Sequence, residues 1–286
     1  MERRLIVILG PTASGKSALG VRLAKKFHGV VISADSRQVY KGLNIGTGKI
    51  TAKEMRGVPH FLFNVASPRG QYSVARYVRD VQRVLKKINS STPVFLVGGS
   101  PFYIDALTKP DAYSPVPPDP KLRRRLAVLP SAQLIARLRI LDTARLTNID
   151  TANRRRLIRA IEIASYRSPP QVRRSGAPPT GVGGSTRYRA GRNPAPEAGR
   201  TGFPPPTESV ASRCAGEGVV APSLNILKIG ISLPKSILRR NIDQRVDVRM
   251  KQGMLAEVKK LHNNGLSWKR LENFGLEYRF LSCYLS

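Results

Sequence analysis

The sequence predicts an α/β fold built on a parallel sheet, on three observations. Its first three strand candidates are unbroken apolar runs, the pattern of strands buried on both faces, rather than alternating ones. These runs alternate with amphipathic helical stretches, which implies parallel pairing through crossover connections. The first run also passes straight through a glycine-rich turn into a helix.

Leu5-Ile6-Val7-Ile8-Leu9 is the first strand candidate and ends at Gly10. From Ser17 to Phe27, Leu19, Val21, Leu23, Ala24 and Phe27 recur at helical spacing, and Gly29 stops the helix. Val30-Val31-Ile32 follows as a second strand. Val74, Val78, Val81, Leu85 and Ile88 alternate steps of four and three, so an amphipathic helix is predicted over 73–88 with Ser73 as its N-cap. Val94-Phe95-Leu96-Val97 is a third clear strand. From Lys121 to about Tyr166 the sequence is helical and basic, and reads as an inserted helical region. Order resumes with a strand at Leu224–Ile231, then helices from Pro234 to about Gln252 and from Met254 to His262, broken at Gly253 and Gly265. Phe274–Arg279 starts a further helix candidate.

The expected organisation is a core of residues 1–115 and 224–286, an inserted helical region at 116–166, and a segment at 167–223 of different character. In that last segment Pro and Gly make up about a third of the residues and Lys is absent. It cannot bury enough apolar area to offset its ordering entropy, so it is expected to be disordered or aberrant.

Composition narrows the class of function. The 286 residues carry 49 Lys and Arg against 18 Asp and Glu, a formal net charge of +31. Such an excess attracts polyanions, because each neutralised phosphate releases condensed counterions, and nucleic acid is the leading partner class. No apolar run approaches the roughly 20 residues of a membrane span, and no signal peptide is legible. The two cysteines, Cys214 and Cys283, make neither a disulfide framework nor a cysteine metal site. A cytoplasmic protein is expected.

Gly10-Pro11-Thr12-Ala13-Ser14-Gly15-Lys16-Ser17 matches G-x-x-x-x-G-K-[ST], with a strand before and a helix after. Backbone N–H groups of such a loop converge on phosphate oxygens, Lys16 adds a point charge, and the helix offers its positive end. Ser17 supplies a hydroxyl suited to Mg²⁺. The predicted fold is accordingly a P-loop NTPase-like parallel sheet flanked by helices. A second acidic strand end of the usual nucleotidase type is missing: Val97 runs into Gly98-Gly99-Ser100. The acid at a strand end is Asp35, expected near the phosphates because parallel strands share a crevice at their C-terminal edge. Asp35 also suits a plain helix N-cap.

Together these motifs resemble the tRNA dimethylallyltransferases, also called tRNA isopentenyltransferases. The resemblance rests on the phosphate loop, on Ser33-Ala34-Asp35-Ser36-Arg37-Gln38-Val39-Tyr40 running on to Lys49, and on Val58-Pro59-His60. Leu96–Ser100, Arg155–Glu162 and Gln244-Arg245-Val246-Asp247 follow in order, so that it spans roughly 5–165 and 225–280. It implies transfer of a dimethylallyl group from dimethylallyl diphosphate, with Mg²⁺, to the exocyclic amine of the adenosine 3′ of the tRNA anticodon. It implies Asp35 as general base, and Ser36, Arg37, Gln38 and Ser100 at the extruded base and its neighbours. Arg123, Arg155, Arg156, Leu157, Ile158 and Arg159 are implied on the anticodon stem-loop, and Arg245 on the diphosphate. A monomer is expected by the same analogy.

The chain departs from the family pattern in three places. Ser100-Pro101-Phe102-Tyr103 stands where Thr and then commonly Gly are usual, and Phe61 follows His60 where a second His is common. Residues 167–222 are longer than the usual connection, and a basic C-terminal helix is not reached. The loop by itself leaves three rivals open: a small-molecule P-loop kinase, a prenyltransferase acting on free adenylate, and an inactive tRNA-binding remnant. Neither of the first two needs so basic a chain.

Overall fold

The computed structural model describes residues 3–109, 114, 116–167 and 224–286. The chain divides into two compact units, Met1–Tyr113 with Val219–Ser286, and Ser114–Gly218. The Pro/Gly-rich segment expected to be disordered lies outside the described residues, apart from Arg167 at the end of a helix.

The larger unit is a five-stranded sheet. Its strands are β1 (Arg3–Leu9), β2 (Val30–Ser33), β3 (His60–Phe61), β4 (Val94–Val97) and β5 (Leu224–Gly230), in the order β3-β2-β4-β1-β5. All four pairings are parallel. Every residue of β2 and β4 is buried, which explains why all but Ser33 are apolar. Alternate residues feed opposite faces. Leu5, Val7, Val30, Ile32, Val94 and Leu96 enter one core, while Ile8, Val31, Phe95 and Val97 enter another. The third strand has two residues, too short to leave a periodic signal.

Helices connect these strands. α1 (Lys16–Lys26) begins inside the phosphate-loop motif and packs so tightly that a Cβ at Gly20 would lie 2.6 Å from a Val97 methyl. α2 (Ala52–Met55) is a single turn closed by a reciprocal capping box between Thr51 and Glu54. α3 (Val74–Lys87) matches the predicted periodicity: Ser73 caps it by accepting the Arg76 N–H, and Tyr77, Val81 and Leu85 are buried. α4 (Pro101–Thr108) uses Pro101 as its first residue, where a missing N–H costs nothing.

The smaller unit contains α5 (Pro120–Ala127), α6 (Ser131–Leu141), α7 (Thr143–Leu146) and α8 (Arg154–Arg167). These helices close on their own core of Leu126, Leu134, Leu138, Leu157, Ala160 and Ile161. After β5 the larger unit is completed by α9 (Lys235–Lys251), α10 (Met254–Asn263), α11 (Trp268–Leu271) and α12 (Leu276–Leu285). Among the described residues, no helix is long and apolar enough to cross a membrane.

Candidate active site

The strand order decides the site. β4 lies between β1 and β2, so the loop after β4 separates the phosphate loop from Asp35. Glycine makes this possible at Gly98, where a Cβ would lie 2.2 Å from the Ala34 carbonyl oxygen. The next residue, Gly99, sits beside the phosphate loop: its Cβ position is 3.9 Å from both the Gly10 carbonyl oxygen and Lys16 Cε. Ser100 then ties to the other side. Its N–H donates to the Ala34 carbonyl at 3.1 Å, and its Oγ accepts the Ser36 N–H at 2.9 Å.

The phosphate loop carries left-handed backbone at Ala13 (φ 62°) and Gly15 (φ 85°). For Ala13 that conformation costs on the order of 1 kcal/mol, and left-handed residues of this kind occur in the backbone nests that bind anions. Ser14 Oγ is buried with no protein hydrogen-bond partner among the described residues, as suits a hydroxyl facing a ligand oxygen. Lys16 Nζ donates to the Pro11 carbonyl at 2.5 Å. Burial lowers the Lys16 pKa, the Asp35 carboxylate opposes that shift, and Arg245 reinforces it. These couplings place Lys16, Asp35 and Arg245 in one electrostatic neighbourhood.

Asp35 is half-buried at the end of β2. Its Oδ1 accepts the Arg37 N–H at 2.8 Å and the Gln38 N–H at 3.3 Å, so the capping geometry is present. That leaves Oδ2 without a hydrogen bond among the described residues, an acceptor held in place by its twin. Gln38 Nε2 in turn donates to the Gly48 carbonyl at 3.2 Å.

Beside the loop is a cavity of about 880 Å³. Ala13 and Ser17 form part of its wall, with cations from Arg22, Lys49, Arg56, Arg245 and Arg249, one carboxylate from Glu54, and apolar surface from Val21, Ile45, Ile50 and Val248. Arg245 Nη2 lies 3.4 Å from Glu277 Oε1, and its Nε is buried without a partner among the described residues. Lys49 Nζ donates to the Tyr40 carbonyl at 2.7 Å and to Asn44 and Asn64 Oδ1 at 3.1 and 2.5 Å. Burial pushes the Lys49 pKa down to about 8, despite the opposing charges of Glu257 and Asp35.

Of the residues expected in the site, the structure gathers Asp35, Ser36, Gln38 and Ser100 at adjoining strand ends, with Arg37 exposed beside them. The residues expected on RNA are sorted within the smaller unit. Arg155 and Arg156 are exposed, and Arg156 lies 3.8 Å from Asp150. Leu157 is a correction: it is 0% exposed in the helical core and has no surface to offer a partner. Ile158 is half-buried against the same core. Arg123 and Arg159 both bind the buried carboxylate of Glu162, so their guanidiniums have a partner within the unit.

Lys49, Asn44, Arg249, Glu257 and Tyr278 were not singled out by their chemistry in the sequence. The legible signal was Gly46 and Gly48, whose Cβ positions are filled by Tyr278 and Arg249. Among the described residues, no cluster of three or more His, Cys, Asp or Glu could hold a metal unaided. The hard oxygen donor at the loop is Ser17, and Mg²⁺ commonly takes one or two protein ligands and completes its shell from substrate phosphates and water. The donor set therefore fits Mg²⁺ arriving with a diphosphate.

A G-x-x-x-x-G-K-S loop between the first strand and first helix of an all-parallel sheet, with a carboxylate beyond the next strand's glycine turn, defines a P-loop α/β protein. Comparison with known proteins narrows that class. Residues 38–286 match the family model described as IPP transferase. The tRNA dimethylallyltransferase 2 of Citrifermentans bemidjiense is 39% identical over 284 residues, covering 98% of this chain and 76% of the relative. The tRNA dimethylallyltransferase 1 of Geotalea daltonii is 36% identical over 283 residues, with coverage of 98% and 76%. Among solved structures, the full-length tRNA isopentenylpyrophosphate transferase of Bacillus halodurans matches with a TM-score of 0.59 at 27% identity, covering 99% of this chain and 78% of that one. This chain belongs to the IPP transferase family. The kinase, free-adenylate and remnant alternatives find no support in these matches.

Proposed function

We propose that this chain transfers a dimethylallyl group from dimethylallyl diphosphate to N6 of the adenosine 3′ of the tRNA anticodon, releasing diphosphate. The observation that carries the reading is the placement of Lys16 and Asp35 on either side of the Gly98–Ser100 turn, one suited to a leaving group and the other to a nucleophile.

The allylic C–O bond breaks with its electron pair passing to the diphosphate. Loop N–H groups and Lys16 meet that developing charge, and Arg245 on the cavity wall adds to them. The cavity joins cations to aliphatic surface, as a ligand with an anionic head and a short hydrocarbon tail requires. The adenine amine is a weak nucleophile because its lone pair is delocalised into the ring. It forms the new C–N bond while its proton passes to Asp35 Oδ2. The base must leave its stack to reach Asp35, and Ser36, Gln38 and Ser100 border its path. Mg²⁺ would be held by Ser17 together with substrate oxygens, and would neutralise charge on the diphosphate. The net charge of +31 and the exposed Arg155 and Arg156 support a tRNA anticodon stem-loop as the acceptor. A cytoplasmic monomer is part of the same reading.

The test is incubation of the full chain with dimethylallyl diphosphate, Mg²⁺ and unmodified tRNA, followed by nucleoside mass analysis. N6-isopentenyladenosine is expected. Its absence where a relative yields product under the same conditions overturns the proposal.

A further inference from the structure

Three consecutive backbone N–H groups converge on one side chain in the larger unit. Glu257, in the first turn of α10, accepts from Asn44 at 2.9 Å and Ile45 at 2.8 Å through Oε2, and from Gly46 at 3.1 Å through Oε1. The Tyr278 hydroxyl donates to Oε1 at 2.6 Å. Successive N–H groups that face one point form an anion-binding concavity of the kind that takes phosphate. Here the protein's own carboxylate fills it.

The same loop borders the cavity. Asn44, Ile45, Gly48 and Lys49 line the cavity, and the Gly48 carbonyl accepts from Gln38, three residues beyond Asp35. The loop is held from behind at a second point, where Arg249 Nη1 donates to the Gly46 carbonyl at 3.0 Å and pairs with Glu277 at 2.9 Å. There is no slack at Gly46, since a Cβ there would lie 2.6 Å from the Tyr278 ring.

We infer that Glu257, with Tyr278, is a positioning residue for prenyl transfer: it fixes the 44–48 loop so that Gln38 and Lys49 keep their places beside Asp35 and the cavity. By filling the concavity it also denies that site to a substrate phosphate and leaves the P-loop as the place for the diphosphate. Glu257 touches no reacting atom, and it acts through the loop. This inference rests on the function proposed above.

The experiment compares wild type, Glu257→Gln and Tyr278→Phe in the full chain by steady-state kinetics with dimethylallyl diphosphate and tRNA, alongside tRNA affinity and thermal melting. Misplacing a catalytic loop by about 1 Å costs on the order of 100-fold, so that loss is expected in kcat for Glu257→Gln. A rise in KM for dimethylallyl diphosphate should accompany it, with tRNA affinity unchanged. Tyr278→Phe removes one donor and should fall between the two. A merely structural residue would lower the melting temperature and leave kcat per folded molecule intact, and that result overturns the inference. If Glu257→Gln fails to fold, Tyr278→Phe decides: wild-type kcat and KM in that variant overturn the inference too. A wild-type chain that makes no product removes the proposed function and this inference with it. An active wild type with unaffected variants removes the inference alone.

Discussion

Arg123 and Glu162 form a two-point ion pair, Nε to Oε1 at 2.8 Å and Nη2 to Oε2 at 2.7 Å. The Glu162 side chain is 1% exposed, and it also binds Arg159 and accepts the Asp119 N–H at 2.6 Å. Burial by itself would raise the Glu162 pKa, but the bonds from Arg123, Arg159 and Asp119 bring it below the usual carboxylate value. One carboxylate thus joins α5, α8 and the segment before α5.

Glu162→Gln should destabilise the chain by roughly 2–4 kcal/mol, toward the lower part of the range for broken buried pairs because both arginines reach solvent. A depressed folded pKa contributes stability that is present above the unfolded value, about 4.3, and is lost as pH falls through the folded one. Urea melts at neutral and acidic pH should show that loss in wild type. In Glu162→Gln the contribution should be missing at both.

The two kinds of arginine in this unit should behave differently toward tRNA. Arg155→Ala is expected to reduce the salt slope of tRNA binding by about one unit, because it is exposed and free to neutralise a phosphate. Arg123→Ala should lower stability and leave the slope unchanged, since its charge is committed to Glu162. Filter binding across a salt series separates the two, and equal slope changes would return Arg123 to the RNA surface.

Asp35→Asn retains an oxygen that can accept the Arg37 and Gln38 N–H groups but no longer takes up a proton. Product formation should fall by about 10²–10⁴-fold, the usual contribution of a general base. Binding of tRNA should stay within a few-fold of wild type. Single-turnover assays with matched affinity measurements check both, and a parallel loss of affinity would make the cap the whole role of Asp35.

Lys49 sets a pH limit. Its pKa is lowered to about 8, so the cavity loses a positive charge as pH rises through that value. KM for dimethylallyl diphosphate should increase above about pH 8, and Lys49→Met should remove this limb. For stability the sign is opposite. Between about pH 8 and the ordinary lysine value near 10.4 the unfolded chain binds more protons, so this group makes stability rise with pH. Kinetic and melting profiles over the same range test the two trends together.

Much of the larger unit was legible because its signals are local. Val94–Val97 reads as a strand from four adjacent residues, and Ser73 reads as a cap because the periodic run begins immediately after it. The phosphate loop is contiguous, and so is the Asp35 block. What escaped lacks either length or locality. β3 has two residues, and Glu257 meets the 44–46 loop across more than 200 positions of chain. Leu157 is placed on the RNA only by the family resemblance, whereas its own apolar side chain belongs to the core.

By itself, then, the sequence determined the class of sheet, the P-loop motif and the acid at the neighbouring strand end, because hydrophobic period and loop chemistry are written in consecutive residues. Only the tertiary structure decided that β4 intervenes between β1 and β2, so that Ser100 braces the Asp35 turn while Gly99 borders Lys16. It also decided which arginines are committed to Glu162 and which face solvent. Both depend on strand order and packing between distant segments, where burial and partner supply set the role of a charge that composition can only count.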